Sequence, residues 1–351
     1  MLAPALHGSR LVQAGWQDEI RLTNDTAAAL TCPNNAKYLA VDAEGRLHVV
    51  WLDERDRNFE IYHKMREGGV WSADERLTTD PGYSARPNLA VDGSGFVHLV
   101  WNDDRDGNAE LYYRVWTGSW QKETRVTETA GDSFGSCLAA EGDTVHMVYM
   151  EDVGGHLQVM YRRLVDAHWL AALQLTNVPT GDRMVPTMAV GPDRSLHVAW
   201  WDTRGDDTIG KIYYRRKTGD LWLDEELLTD PTMNAMRPNI AVDDSGCVHV
   251  VWIDQRSGYD QIFYRRRGPA GWESEMPLTS GASTHYHPSV CAVRGEVFVA
   301  YWDNRLSSTN SEIWFQRNVA GSWTGEIRIS DGAGASTLPC LIAERNGNLH
   351  V

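Results

Sequence analysis

Two patterns in this chain hold residues that could do chemistry. One is the acid-rich loop "NDDRDGN" at 102–108, where Asp103 and Arg105 flank a further aspartate. Closely spaced carboxylates and a glycine suggest a calcium loop, and a carboxylate beside a guanidinium suggests acid–base work or carboxylate binding. The other is "THYHPS" at 284–289, where His285, Tyr286 and His287 offer two imidazoles and a phenol for proton transfer.

The Asp–Arg pattern is not unique, which weakens its claim to catalysis. Asp53 and Arg55, Asp103 and Arg105, Asp202 and Arg204, Asp254 and Arg256, and Asp303 and Arg305 each follow an apolar run ending near a tryptophan or tyrosine. An enzyme needs its charges once, so an Asp and Arg that tie each loop to the neighbouring blade of a repeated scaffold explain the recurrence more simply. Calcium is disfavoured because the central arginine would repel the ion and the distal glutamate of an acidic calcium loop is missing. A zinc site from His285 and His287 lacks a third ligand. The chain is therefore expected to use neither metal nor cofactor. The His285, Tyr286, His287 cluster has no counterpart in the other repeats.

The elements that position these residues follow from the repeat. The aromatics Trp51, Trp101, Tyr149, Trp200, Trp252 and Tyr301 recur at a spacing of about 50 residues, a propeller or solenoid period. One unit, 86–127, contains "RPNLAVD", "FVHLVW", "AELYYRV" and "WQKETRVT", four short β-branched and aromatic runs separated by turn residues. Such a four-stranded antiparallel sheet cannot bury both faces alone and is expected to stack radially into a β-propeller. Trp71, Trp120, Trp169, Trp222, Trp272 and Trp323 open the fourth run of each unit, a spacing expected of packing between blades.

Six full repeats cover about 36–79, 86–127, 134–176, 185–229, 237–279 and 288–330 of one domain, 1–351. Trp16 opens a fourth-strand sequence with no earlier strands, and "LPCLIAERNGNLHV" reads as a first strand and the start of a second. Their complementarity predicts an all-β, seven-bladed ring, with second strands lining the channel and a seventh blade shared by 7–23 and 338–351. Because the chain stops in mid-strand at Val351, it could continue in a longer protein.

With Lys plus Arg at 33 and Asp plus Glu at 48, the net charge of −15 argues against nucleic acid as a partner. No apolar run is long enough for a membrane span. The segment "MLAPALHGSR" lacks the basic and apolar regions of a signal peptide. The five cysteines have no CxxC pairs, and Cys137, Cys291 and Cys340 lie in apolar runs suited to buried thiols.

The recurrent "AVDxxGxxHVxW" and "WxDxRxGNxEIYYR" patterns resemble the sialidase-like, bacterial-neuraminidase-repeat (BNR) propellers over nearly the whole chain. This resemblance implies a propeller fold and a secreted, periplasmic or cell-surface setting. Sialidases also carry an "SxDxGxTW" box; here the turns at Asp42, Asp92 and Asp243 hold one residue more between Asp and Gly and lack the serine. None of the sialidase catalytic roles maps by position onto this chain.

Function is expected where the repeat breaks. Arg86 and Arg237, each in an "RPN" segment, are candidate carboxylate clamps, and His285, Tyr286 and His287 a candidate sugar platform or proton-transfer group. In the third unit Glu151 replaces the usual aspartate and Val153 the usual arginine, with Asp132 and Asp182 in adjacent loops. The expected function is an exported propeller that binds a glycan or protein ligand. The alternatives are a glycan-cleaving enzyme of sialidase or lyase type, with Tyr286 or a histidine as the reacting group, and an assembly scaffold.

Overall fold

The computed structural model describes residues 15–24, 26–31, 37–205, 209–306, 310–332 and 334–351. Among these there is no helix, and the strands form six complete four-stranded blades. Blade two is representative: Ser84–Val91, Val97–Asp103, Glu110–Trp116 and Thr124–Arg125 pair in sequence order, all antiparallel. Its second strand "VHLVWND" is buried along its whole length, because both faces of this central strand are covered by adjacent blades.

The ring has six blades, not the seven expected. The C-terminal residues form a two-stranded hairpin, Ile342–Ala343 with Leu349–His350, and Trp16–Thr23 contains no strand. A fourth strand must hydrogen-bond to a third, and this hairpin supplies no third strand for the N-terminal segment to join. Residues 7–14 of the expected shared blade lie outside the described residues, as does Cys32. The tryptophan equivalence still holds at the level of side chains. Trp16 meets Phe315 edge to face at 5.2 Å, the same relation that Trp323 has to Tyr264 at 5.0 Å and Trp272 to Tyr214 at 5.0 Å. Trp120, Trp169 and Trp222 likewise meet His63, Tyr113 and Tyr161 of the preceding blade.

The innermost strands are the first of each blade, not the second. First strands of successive blades pack on one another around the ring. Asn88 Oδ1 accepts the Leu138 amide across one such boundary at 2.9 Å, and Asn239 Oδ1 accepts that of Val290 across another at 3.0 Å. Each first strand of blades two to six carries a bulge, at Ala85/Asn88, Phe134/Cys137, Met184/Thr187, Met236/Asn239 and Tyr286/Ser289. One residue of each bulge has positive φ: Arg86 (54°), Gly135 (62°), Val185 (50°), Arg237 (53°) and His287 (51°). A non-glycine residue there costs on the order of 1 kcal/mol or more, held by the strands on either side.

Candidate functional site

The Asp–Arg loops have a full structural explanation. Asp103 is completely buried and accepts Arg105 Nε at 2.8 Å and Nη2 at 2.6 Å, with Trp101 Nε1 at 3.2 Å and Ser84 Oγ at 2.7 Å completing its shell. Arg105 passes its other amino group to Glu123 at 2.6 Å and lies 4.3 Å over the Tyr112 ring. Burial alone would raise the Asp103 pKa, but the hydrogen bonds from Arg105 and Ser84 outweigh it and hold the carboxylate ionised. The same set recurs as Asp53–Arg55–Asp74, Asp202–Arg204–Glu225, Asp254–Arg256–Glu275 and Asp303–Arg305–Glu326. The acid that closes each triad belongs to the fourth-strand segment of the same blade, so the arginine clamps its own blade rather than the neighbouring one. Other side chains of the loop are engaged as well: Asp104 accepts the Tyr83 amide at 2.6 Å, Asp106 accepts the Tyr112 hydroxyl, and Asn108 Nδ2 donates to Thr129 and Gly131 carbonyls at 3.2 and 2.8 Å.

The bulges give the irregular residues their common origin. Arg86, Arg237 and His287 occupy one repeat position, the positive-φ residue of the bulge, on the innermost strand and at the face that carries the Asp–Arg loops, since Ser84 pairs with Asp103 and His285 with Asp303. A bulge redirects the side chain it carries out of the regular pleat. Arg86 engages the Phe134 ring of the next blade at 5.1 Å. Arg237 acts electrostatically on the Tyr286 hydroxyl of the next blade. The two arginines are thus each placed beside a different neighbour.

The structure divides the His-Tyr-His cluster. His285 is fully buried; its Nδ1 faces the Asp260 carbonyl at 3.2 Å and its Nε2 faces Arg305 Nη2 at 3.2 Å. That arrangement fits the Nδ1–H tautomer, and burial lowers the His285 pKa. Tyr286 and His287 instead remain partly exposed. The Tyr286 ring stacks on Trp302, its cross-strand partner, at 5.1 Å and 20°, and His287 lies 6.3 Å from the same indole at 20°. Burial, then a hydrogen bond to Asp260, pushes the Tyr286 hydroxyl up to about 12, so it keeps its proton at neutral pH. Among the described residues no group of three or more His, Cys, Asp or Glu could hold a metal ion, and no helix is long and apolar enough to cross a membrane.

Sequence reasoning missed Trp302 and Asp260 as members of this surface. The signal for Trp302 was the doubled aromatic "YW" at 301–302, matched by "WW" at 200–201. It also missed a buried histidine network at the opposite end of the blades. His98 Nδ1 lies 2.7 Å from the Tyr113 hydroxyl and Nε2 3.0 Å from Asp92; His249 repeats this with Tyr264 and Asp243, and His146 and His197 pair with Tyr161 and Tyr214. The histidine of "HVxW" and the last tyrosine of "YYR" carried that signal.

No family model and no curated protein matches the chain. Solved structures of similar shape include an ulvan lyase of a new polysaccharide lyase family bound to -[GlcA(1-4)Rha3S]-, at 10% identity and TM-score 0.62 over 85% of this chain and 84% of that one. An α-L-arabinofuranosidase from Fusarium graminearum aligns at 14% identity and TM-score 0.53, over 76% of this chain and 86% of that one. A Hadza microbial sialidase aligns at 13% identity and TM-score 0.51, over 88% and 70%. At such identities the likeness establishes the propeller fold alone.

Proposed function

We propose that the chain cleaves an acidic glycan by β-elimination at a uronate, on the loop face at the boundary of blades five and six. The observation that carries this reading is the stacking of Tyr286 and His287 on Trp302, with Arg237 at the equivalent bulge position of the preceding blade. A guanidinium matches a carboxylate, an indole face matches a pyranose ring, and an imidazole and a phenol together can take one proton and give another. The glycan-acting propellers of similar shape support this reading over a simple binding module.

In the proposed reaction Arg237 binds the uronate carboxylate and stabilises the charge that develops on it. The His287 imidazole removes the proton on C5, the C5–H electron pair forms the C4=C5 double bond, and the C4–O4 bond breaks. Tyr286, still protonated, turns from Asp260 to give its proton to the departing oxygen. Water is neither consumed nor released, and the product is an unsaturated uronate with a new free hydroxyl on the other fragment.

On uronate polymers the protein is expected to generate ultraviolet absorbance from the unsaturated product. Tyr286→Phe should lower kcat about 100-fold or more while leaving KM near its original value, because the ring platform is kept and only the proton donor is lost. Arg237→Ala should chiefly weaken binding. Glycan binding without turnover by the unaltered protein, or an unchanged kcat in Tyr286→Phe, would dismiss the eliminating enzyme and return the face to a binding role.

A further inference from the structure

Blade three keeps the carboxylate of the repeated triad and loses the arginine, the outer acid and the aromatic ring that elsewhere answer it. Glu151 occupies the place of Asp103, Val153 that of Arg105, Ala172 that of Glu123 and Met160 that of Tyr112, as the register pairs Tyr149 with Met160 just as it pairs Trp101 with Tyr112. The three replacements are all smaller than, or lack the charge of, the groups they replace. Between blades two and three lies a cavity of about 350 Å³ lined by Tyr149, Glu151, Arg162, Arg125, Thr129 and, of the three replacements, Ala172. The cavity therefore contains both ends of the space that a guanidinium bridges in the other five blades: the first-strand-facing carboxylate and the position of the outer acid.

Most polar groups around this space already have other roles, the exceptions being the carboxylates of Glu151 and Glu128. Arg125 donates to Glu110 at 3.2 Å and pairs with Asp106 at 3.1 Å. Arg162 donates to the Leu170 carbonyl at 2.8 Å and to that of Val126, as Arg215 and Arg265 do to the corresponding carbonyls in their blades. Asp132 and Asp182 accept the backbone amides of Ala109 and Leu157, both at 2.9 Å, and so cap loops. Among the described residues Glu151 is hydrogen-bonded only by neutral hydroxyls, Tyr149 at 3.3 Å and its cross-strand neighbour Ser133, and by no guanidinium of its own blade. Burial, and beyond it the nearby Glu110 charge, raises the Glu151 pKa despite the attraction of Arg162, whereas the aspartates of blades one, two and four are held low by their arginines.

We propose that the cavity beside Glu151 receives an arginine side chain presented from outside the domain, which takes the place that each of five other blades fills with its own arginine. The chemistry is written in those blades: paired Nε and Nη2 bonds to a carboxylate at 2.5–2.9 Å. A lysine would satisfy the charge without the second bond, and citrulline would keep the shape without the charge.

Calorimetric titration of the full chain with Nα-acetylarginine amide tests this, with the acetylated amides of lysine and citrulline as controls. Saturable binding of the arginine compound is expected, with Glu151→Gln weakening it about tenfold or more, the loss of one charge-assisted pair. Val153→Arg, which rebuilds the internal triad, should abolish binding and raise the midpoint of thermal unfolding. Equal binding of the citrulline compound, unchanged affinity in Glu151→Gln, or no saturable binding by the unaltered protein would overturn the proposal. Glu151→Gln and the citrulline control decide the matter even if Val153→Arg does not fold. None of these measurements depends on turnover of a glycan, so this site stands or falls separately from the one at Tyr286.

Discussion

The protein is expected to lose most of its stability as pH falls from about 6.5 to about 4, above the range where carboxylates titrate. The cause is the buried histidine of the second strand. His48, His146 and His197 are each held down to about 4, first by burial, with neighbouring positive charge adding to it, from Lys217 and Arg163 at His146, Arg216 at His197 and Arg46 at His48. In the folded state these imidazoles are neutral, while in the unfolded chain they take up a proton near pH 6.5. Their contribution is therefore complete above that pH and is lost as pH falls through the folded value. Each shift corresponds to roughly 3 kcal/mol, so three together are on the order of 10 kcal/mol, comparable with the whole stability of a typical domain.

Blade six supplies the control. There Phe298 and Phe315 stand where blades two to five have histidine and tyrosine, stacked at 5.9 Å and 24°. The double replacement His197→Phe with Tyr214→Phe should thus fold and should remove about one third of the pH dependence, seen as a lower acid midpoint by circular dichroism. Ser195 Oγ keeps Asp193 as its acceptor at 2.5 Å, so the change strands no hydroxyl. A protein that holds its fold unchanged to pH 4, or a double variant with the original slope, would show that these histidines titrate freely.

How far the sequence revealed the molecule depends on which features are written in side-chain types and which in backbone geometry. The blades were legible because each strand repeats its aromatic and β-branched residues, and those residues pack as their spacing requires: Trp101, Trp200 and Trp252 are fully buried. The ring number was not, because Trp16 matches the other tryptophans in its ring contact while its backbone finds no third strand to join. The choice of innermost strand was equally hidden, since buried first and second strands both read as apolar runs. The bulge decides where Arg86, Arg237 and His287 lie, and it is a matter of φ. A proline follows four of the five non-glycine and glycine bulge residues, at Pro87, Pro186, Pro238 and Pro288, which marks the shared position; yet a residue before proline normally favours extended backbone, so the left-handed turn runs against the local rule. Tyr286 and His285 were adjacent in sequence and separate in role, because alternate strand residues face opposite sides.

Among the repeated carboxylates, Asp202 is expected to be the least tolerant of change. Like Asp103 it is fully buried and accepts its own arginine, here Arg204 Nη2 at 2.5 Å and Nε at 2.9 Å, together with Trp200 Nε1 at 3.1 Å. Where blade two has Ser84, however, blade four has Arg183, a completely buried guanidinium whose Nε lies 3.3 Å from Asp202. The other Arg183 nitrogens donate to the neutral carbonyls of Val178, Thr180 and Gly181, which leave its charge to Asp202. Asp202→Asn would keep the shape, remove the charge and turn an amide donor toward two guanidinium groups. Its expected cost is about 3–5 kcal/mol in urea denaturation, the range for breaking a buried pair. Asp103→Asn should cost less, because Arg105 and Arg204 both retain an outer glutamate while Ser84, unlike Arg183, carries no charge. The excess should vanish in an Arg183→Ser background, where the serine of blade two is restored and a double-mutant cycle isolates the coupling. Equal costs at the two aspartates, or a cost at Asp202 that Arg183→Ser leaves unchanged, would mean that the buried arginine is neutralised by its backbone carbonyls alone.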